Sequence, residues 1–143
     1  METLRIARLR PEAVLPTRKH PADAGLDFYA VTAVEIQPHS FSIVPTGVTV
    51  EIPVGFVGLL KPKGRANHLL GAGVVDAGYQ GEILVKVANV TDVPLRFAAG
   101  EAVGQLVIVP VLTPAVEEVN VQEIHVDKST RGTAGGIVEQ HQG

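Results

Sequence analysis

Aliphatic and polar positions alternate over short stretches along most of the chain, and this period of two predicts β-strands. Residues 4–9 read as an edge strand, and Val34-Glu35-Ile36 alternates before a turn at His39 and Ser40. Residues 41–44 and 48–52 read as two strands, or as one long strand interrupted at Pro45-Thr46-Gly47. Pro53-Val54-Gly55 punctuates the chain as a turn. Residues 56–60 form a buried run, 82–87 a strand and 94–97 a shorter one. Residues 103–112 are almost continuously aliphatic, with Gln105 the conspicuous polar interruption, and residues 116–121 alternate again. Only residues 65–70, between Gly64 and Gly71, have room for a helix, and that stretch is too short to stand alone. Many short strands with Gly and Pro between them predict an all-β sandwich, jelly roll or barrel with one very short helix at most.

Composition sharpens this picture. The chain has 143 residues, which suits one domain. It carries 23 valines, whose β-branching favours strands, and its 15 Gly and 10 Pro demand many turns. Residues 1–126 are expected to form the body, and the polar, Gly-containing residues 127–143 an arm or a frayed tail. The absence of cysteine excludes a disulfide scaffold, a thiolate zinc site and a thiol nucleophile, and fits a reducing compartment, here taken as the cytoplasm. No apolar run approaches the roughly 20 residues that span a bilayer, and residues 1–10 have no signal-peptide core. A net charge of −3 argues against a nucleic-acid coat, though not against a small basic pocket for one nucleotide.

Four polar islands interrupt the aliphatic background. In Asp23-Ala24-Gly25-Leu26-Asp27 two carboxylates flank a glycine where a strand begins. They make either an Asx-type turn or a seat for a hydrated divalent cation, since hard Mg²⁺ prefers oxygen and keeps its waters. Lys61-Pro62-Lys63-Gly64-Arg65 packs three cations into five residues, as a solvated basic turn or a phosphate-holding loop. The island at residues 71–82 places Val74-Val75-Asp76 between glycine turns, with Tyr79 three residues on. It reads either as a hairpin with a tight Ala-Gly turn or as a carboxylate and an aromatic platform for a ring or sugar. The tail residues 129–136 combine hydroxyls, Arg131 and three glycines, a plain flexible end or an arm that closes over an anion. The five histidines show no metal-ligand spacing, and there is no nucleophile elbow or Walker loop.

The order of these islands resembles the five motifs of the trimeric dUTP diphosphatases (dUTPases), over residues 23–136. Ala24-Gly25-Leu26-Asp27-Phe28-Tyr29-Ala30 resembles the first, and Pro62-Lys63-Gly64-Arg65-Ala66 takes the place of the second. Gly73-Val74-Val75-Asp76-Ala77-Gly78-Tyr79-Gln80-Gly81-Glu82-Ile83 closely matches the third and is the most specific. Gly100-Glu101-Ala102-Val103-Gly104-Gln105-Leu106 resembles the fourth, and Arg131-Gly132-Thr133-Ala134-Gly135-Gly136 the start of the fifth. The resemblance implies a jelly-roll homotrimer with active sites between subunits, cleaving dUTP to dUMP and pyrophosphate with Mg²⁺ and so supplying dUMP for thymidylate synthesis. On it, Asp76 is the base that activates water and contacts the deoxyribose, and Tyr79 packs under the sugar. A hairpin around residues 71–75, with Gly73 and Val75, reads the uracil edge. Asp27 holds Mg²⁺ through water. Gln105 and the basic loop of Lys63, Gly64 and Arg65 touch phosphates, and Arg131 with Gly135 comes on a neighbour's tail.

The match has departures. Lys63 stands where the family usually has Arg, a Ser is missing after it, and the segment to the third motif is several residues shorter. Ala102 stands where Arg or Lys is usual, and the tail lacks the Phe that stacks on uracil, with Ile137 nearby instead. The resemblance leaves open which of Lys63 and Arg65 meets phosphate. Two alternatives remain: a dCTP deaminase of the same fold, and a non-catalytic nucleotide-binding jelly roll. The pairing of Asp76 with Tyr79 follows the diphosphatase pattern.

Overall fold

The computed structural model describes residues 3–64, 68–71 and 73–125. The chain divides into two compact units, residues 1–113 and 114–143. The described strands all belong to the first. They are β1 (Arg5–Arg8), β2 (Leu26–Tyr29), β3 (Val34–Ile36), β4 (Ser40–Glu51), β5 (Phe56–Lys61), β6 (Leu69–Leu70), β7 (Val74–Val75), β8 (Glu82–Asn89), β9 (Leu95–Phe97) and β10 (Ala102–Pro110). They form two four-stranded sheets, ordered β1-β4-β8-β6 and β2-β10-β5-β7, and a small β3-β9 ribbon. Every pairing is antiparallel. This is the expected all-β jelly-roll architecture, and no helix occurs among the described residues.

Alternation builds the core. On β8, Ile83, Val85 and Val87 point inward while Leu84 and Lys86 face out. They meet Val44, Val48 and Val50 of β4, and Phe28, Leu60, Val75, Val103 and Leu106 of the other sheet in one cluster. These side chains are 9% exposed or less, so each contributes about 1.5–3 kcal/mol of burial.

The interrupted segment at residues 41–52 is one long strand, β4, with its register shifted between Pro45 and Thr49. Gly47 has φ of 72°, and a Cβ there would lie 2.8 Å from the Cβ of Ala13, so only glycine suits this bulge. Thr46 donates its hydroxyl to the Ile83 carbonyl at 2.6 Å, which locks the bulge to β8. Two local expectations fail. Leu69 and Leu70, placed at the end of a possible short helix, pair instead with Ala88 and Val87 of β8, because that edge offers a ladder that two helical residues cannot match. Residues 116–121 form no strand, since alternation alone builds none without a neighbouring strand to bond.

Candidate active site

The first group of predicted residues converges where β2, β10 and β5 lie side by side. Gln105 of β10 pairs in register with Asp27 of β2 on one side and Lys61 of β5 on the other. Directly opposed residues share a face, so the ladder places carboxylate, amide and ammonium in one row. The Asp27 backbone is also held from its other side, donating N–H to the Thr17 carbonyl at 2.7 Å and accepting from the Thr17 N–H at 3.2 Å. Lys63, just past the end of β5, reaches back and puts Nζ 2.5 Å from Asp27 Oδ1. Gln105 donates Nε2–H to the Pro62 carbonyl at 3.0 Å and so fixes the residue before Lys63. Gly25 lies against Gln105: a Cβ there would come within 1.8 Å of Oε1. Lys19, Asp23, Gly25, Asp27, Lys63 and Gln105 line a cleft of about 340 Å³. Gly64 beside it is exposed and faces open space.

The second group surrounds a groove of about 140 Å³ lined by Leu60, Leu70, Gly73, Val75, Tyr79 and Lys86, among others. The residues expected as a hairpin, 71–75, are not a paired one. β6 belongs to one sheet and β7 to the other, and the connector between them is clamped from both sides. Gly71 donates its N–H to the Lys86 carbonyl at 2.9 Å, and Leu60 donates to the Gly73 carbonyl at 2.8 Å. A Cβ on Gly73 would lie 2.4 Å from the Cβ of Leu60, so the close approach requires glycine. Val75 is buried and pairs with Gly58 of β5.

After β7 the chain turns tightly at Ala77-Gly78, with the Tyr79 N–H donated to the Asp76 carbonyl at 3.1 Å. The turn joins β7 and β8 of different sheets, and so is not a two-stranded hairpin either. Tyr79 folds over Gly81, where a Cβ would meet its hydroxyl at 2.7 Å, and donates that hydroxyl to the Glu82 carbonyl. Tyr79 is 42% exposed and lines both the groove and a neighbouring cavity with Gln80, a half-open platform rather than a core aromatic. Asp76 is exposed at the foot of the turn and lines neither the groove nor the cleft. β5 connects the two regions: Leu60 lines the groove, and Lys63, two residues past the end of the strand, lines the cleft. Arg65, Arg131 and Gly135 lie outside the described residues.

Three further residues belong to this landscape. Lys19 lines the cleft, and nothing in the local sequence marks it. Lys86 lines the groove and sets Nζ 4.6 Å from the ring centre of Phe41, an outward position readable from the alternation of β8. His68, which follows the basic loop, is buried at 7% exposure. It donates Nε2–H to the Val103 carbonyl at 3.3 Å and packs edge-on against Phe97 at 5.3 Å. Burial holds its pKa below the usual 6.5, against the opposing pull of that hydrogen bond.

No three His, Asp or Glu side chains gather into a metal cage among the described residues. The donors in the cleft are oxygens, Asp27 and Asp23, beside an amide and two ammonium groups. That set fits Mg²⁺, which keeps most of its waters and takes one or two carboxylates together with substrate phosphates.

Comparison with known proteins bears on the whole arrangement. The dUTPase family model matches residues 11–136. The deoxyuridine 5'-triphosphate nucleotidohydrolase of Mycolicibacterium gilvum is 39% identical over 141 residues, covering 93% of this chain and 92% of its own. That of Corynebacterium jeikeium is 41% identical over 140 residues, covering 92% and 89%. A variant of the Staphylococcus bacteriophage 80alpha dUTPase, solved with dUpNHpp, superposes with a TM-score of 0.85 at 28% identity, over 95% of this chain and 97% of that one. The dUTPase of phage phi11 of S. aureus, a variant solved to show the coordination of a structural Mg(II) ion, matches with a TM-score of 0.77 at 27% identity, over 85% and 99%. Sequence along nearly the full length and fold agree, and the chain belongs to the dUTPase family.

Proposed function

We propose that this dUTPase cleaves dUTP to dUMP and pyrophosphate at a site built from the groove and the cleft, completed by the arm of a second subunit in a homotrimer. The observation that carries the reading is the turn from Asp76 to Tyr79. It puts a half-open ring on a glycine-lined groove and an exposed carboxylate one residue past Val75 of the groove wall, in the motif that most specifically matches the family.

On this reading uracil enters the groove, where the backbone of Gly73 and Val75 meets its edge. Tyr79 lies under the deoxyribose and leaves no room for a 2′-hydroxyl. The triphosphate runs along β5 toward Lys63, Gly64, Arg65 and Gln105. Asp76 takes a proton from a water molecule whose oxygen bonds to the α-phosphorus. The bond from that phosphorus to the bridging oxygen breaks, and pyrophosphate leaves with the electron pair. Asp27, with Asp23 beside it, would hold Mg²⁺ through water, and the ion would neutralise charge on the departing oxygens. Lys63, Arg65 and Arg131 add positive charge where it develops. Residues 1–126 are the catalytic body and residues 127–143 the arm, with Arg131 and Gly135 closing over the terminal phosphate of a neighbour's substrate.

The test is product analysis with dUTP, dCTP, dTTP and UTP in the presence of Mg²⁺. Pyrophosphate from dUTP alone is expected. Ammonia released from dCTP would replace this reading with a deaminase, and binding without turnover would replace it with a non-catalytic nucleotide protein.

A further inference from the structure

Two roles in this site compete for one carboxylate. Asp27 is the carboxylate suited to a hydrated divalent cation, yet its Oδ1 is 2.5 Å from the Lys63 ammonium. The Asp27 side chain is only 14% exposed, and its backbone is bonded to Thr17 on one side and set opposite Gln105 on the other, so the carboxylate stays where it is. The lysine is the partner able to move. Among the described residues around it, Pro62 is tied down through Gln105, and a Cβ on Gly64 would meet none of them within 4 Å. A lysine also carries its charge on a flexible four-carbon stem.

We propose that Lys63 is an exchange cation, closing Asp27 in the free enzyme and leaving it for the triphosphate when the nucleotide brings its metal ion. The proposal rests on the dUTP reading of the site. With its ammonium on Oδ1, Lys63 already compensates the charge of Asp27 and repels a hydrated Mg²⁺ brought against the same carboxylate, so the resident lysine lowers the affinity of the empty site for metal. A triphosphate carries several negative charges within reach of the same cleft and is the stronger partner for an ammonium. Transfer of Lys63 to phosphate frees Asp27 when the metal–nucleotide complex arrives. Metal and nucleotide then favour each other's binding, and by linkage the coupling is reciprocal. The exchange also gives Lys63, rather than Arg65 alone, a phosphate to meet.

The test is calorimetric titration of Mg²⁺ into the nucleotide-free full chain. Wild type is expected to bind weakly. Lys63→Gln should bind Mg²⁺ about tenfold more tightly, the scale of a part-buried ion pair. Lys63→Arg, which keeps a cation on Asp27, should stay close to wild type, and adding Asp27→Asn to Lys63→Gln should remove the gain. With Mg²⁺ present, Lys63→Gln should bind dUpNHpp about tenfold more weakly. A Lys63→Gln chain with unchanged affinity for Mg²⁺, or a gain that survives Asp27→Asn, overturns the exchange. Thermal melts identify any unfolded variant, for which Lys63→Met is substituted. The metal titrations contain no substrate, so the two readings fail separately. The expected Mg²⁺ pattern without pyrophosphate from dUTP keeps the lysine as the block on Asp27 and removes the dUTP assignment.

Discussion

Single residues in this site divide into those that do chemistry and those that make room for it. In the proposed reading Asp76 belongs to the first kind: it is exposed, and its loss should leave packing untouched. Asp76→Asn is expected to lower kcat for dUTP by about 10² to 10⁴ while dUpNHpp binding stays within a few-fold. Near-normal turnover would assign the base elsewhere. In the same reading Tyr79 acts through the shape of its ring. Tyr79→Ala should lower the preference for dUTP over UTP by about tenfold or more in kcat/KM, and unchanged selectivity would end the sugar-platform role. Gly73 is of the second kind. Its would-be Cβ meets the Cβ and backbone of Leu60, which no rotamer change relieves. Gly73→Ala should therefore cost about 1–3 kcal/mol in denaturant unfolding and also raise KM, because β5 and the groove wall must part. At Gly25 the clash is with the end of the Gln105 side chain, which swings away more cheaply.

At the scale of elements, His68 joins parts that are far apart in sequence. It sits between the basic loop and β6, donates to β10 and packs against Phe97 of β9. Its pKa is lowered in the fold, so the unfolded chain takes up a proton first as the pH falls. The stability that neutral His68 contributes is complete above about 6.5 and is lost as the pH falls below that value toward the lowered folded pKa. The thermal midpoint should drop between pH 7.5 and 5.5, and His68→Gln should flatten that slope. An equal slope in the variant would place the titration in another group. The sequence marked His68 only as a neighbour of the basic loop, because burial by β9 and β10 is a tertiary fact. The same limit explains the other differences. Alternation found β1, β3, β8 and β9 because each shows one polar and one apolar face or a clear turn beside it. β6 and β7 are two residues long and carry too little pattern to show that they belong to different sheets. Asp27, Gln105 and the basic loop were legible as polar breaks in aliphatic runs. That they stand in one row, and that Lys63 sits on Asp27, depends on register, which local composition does not encode.

At the scale of the whole molecule, one chain supplies a groove, a cleft and a candidate base, while Arg131 stands far along the sequence, on the proposed arm. In the proposed trimer, each site combines Asp76 of one subunit with Arg131 of another. This has a consequence that a self-contained site does not share. Asp76→Asn and Arg131→Ala chains should each be nearly inactive alone. Mixed one to one, unfolded and reassembled, they form sites in which an intact Asp76 meets an intact Arg131 about a quarter of the time, if subunits mix at random. Roughly that share of wild-type kcat should return, and the reassembled species should elute at the mass of three chains. If each arm serves its own chain, every site in the mixture still carries one of the two lesions. The mixture then stays as inactive as its components, whatever its oligomeric state, and the shared site is ruled out even if the trimer is found.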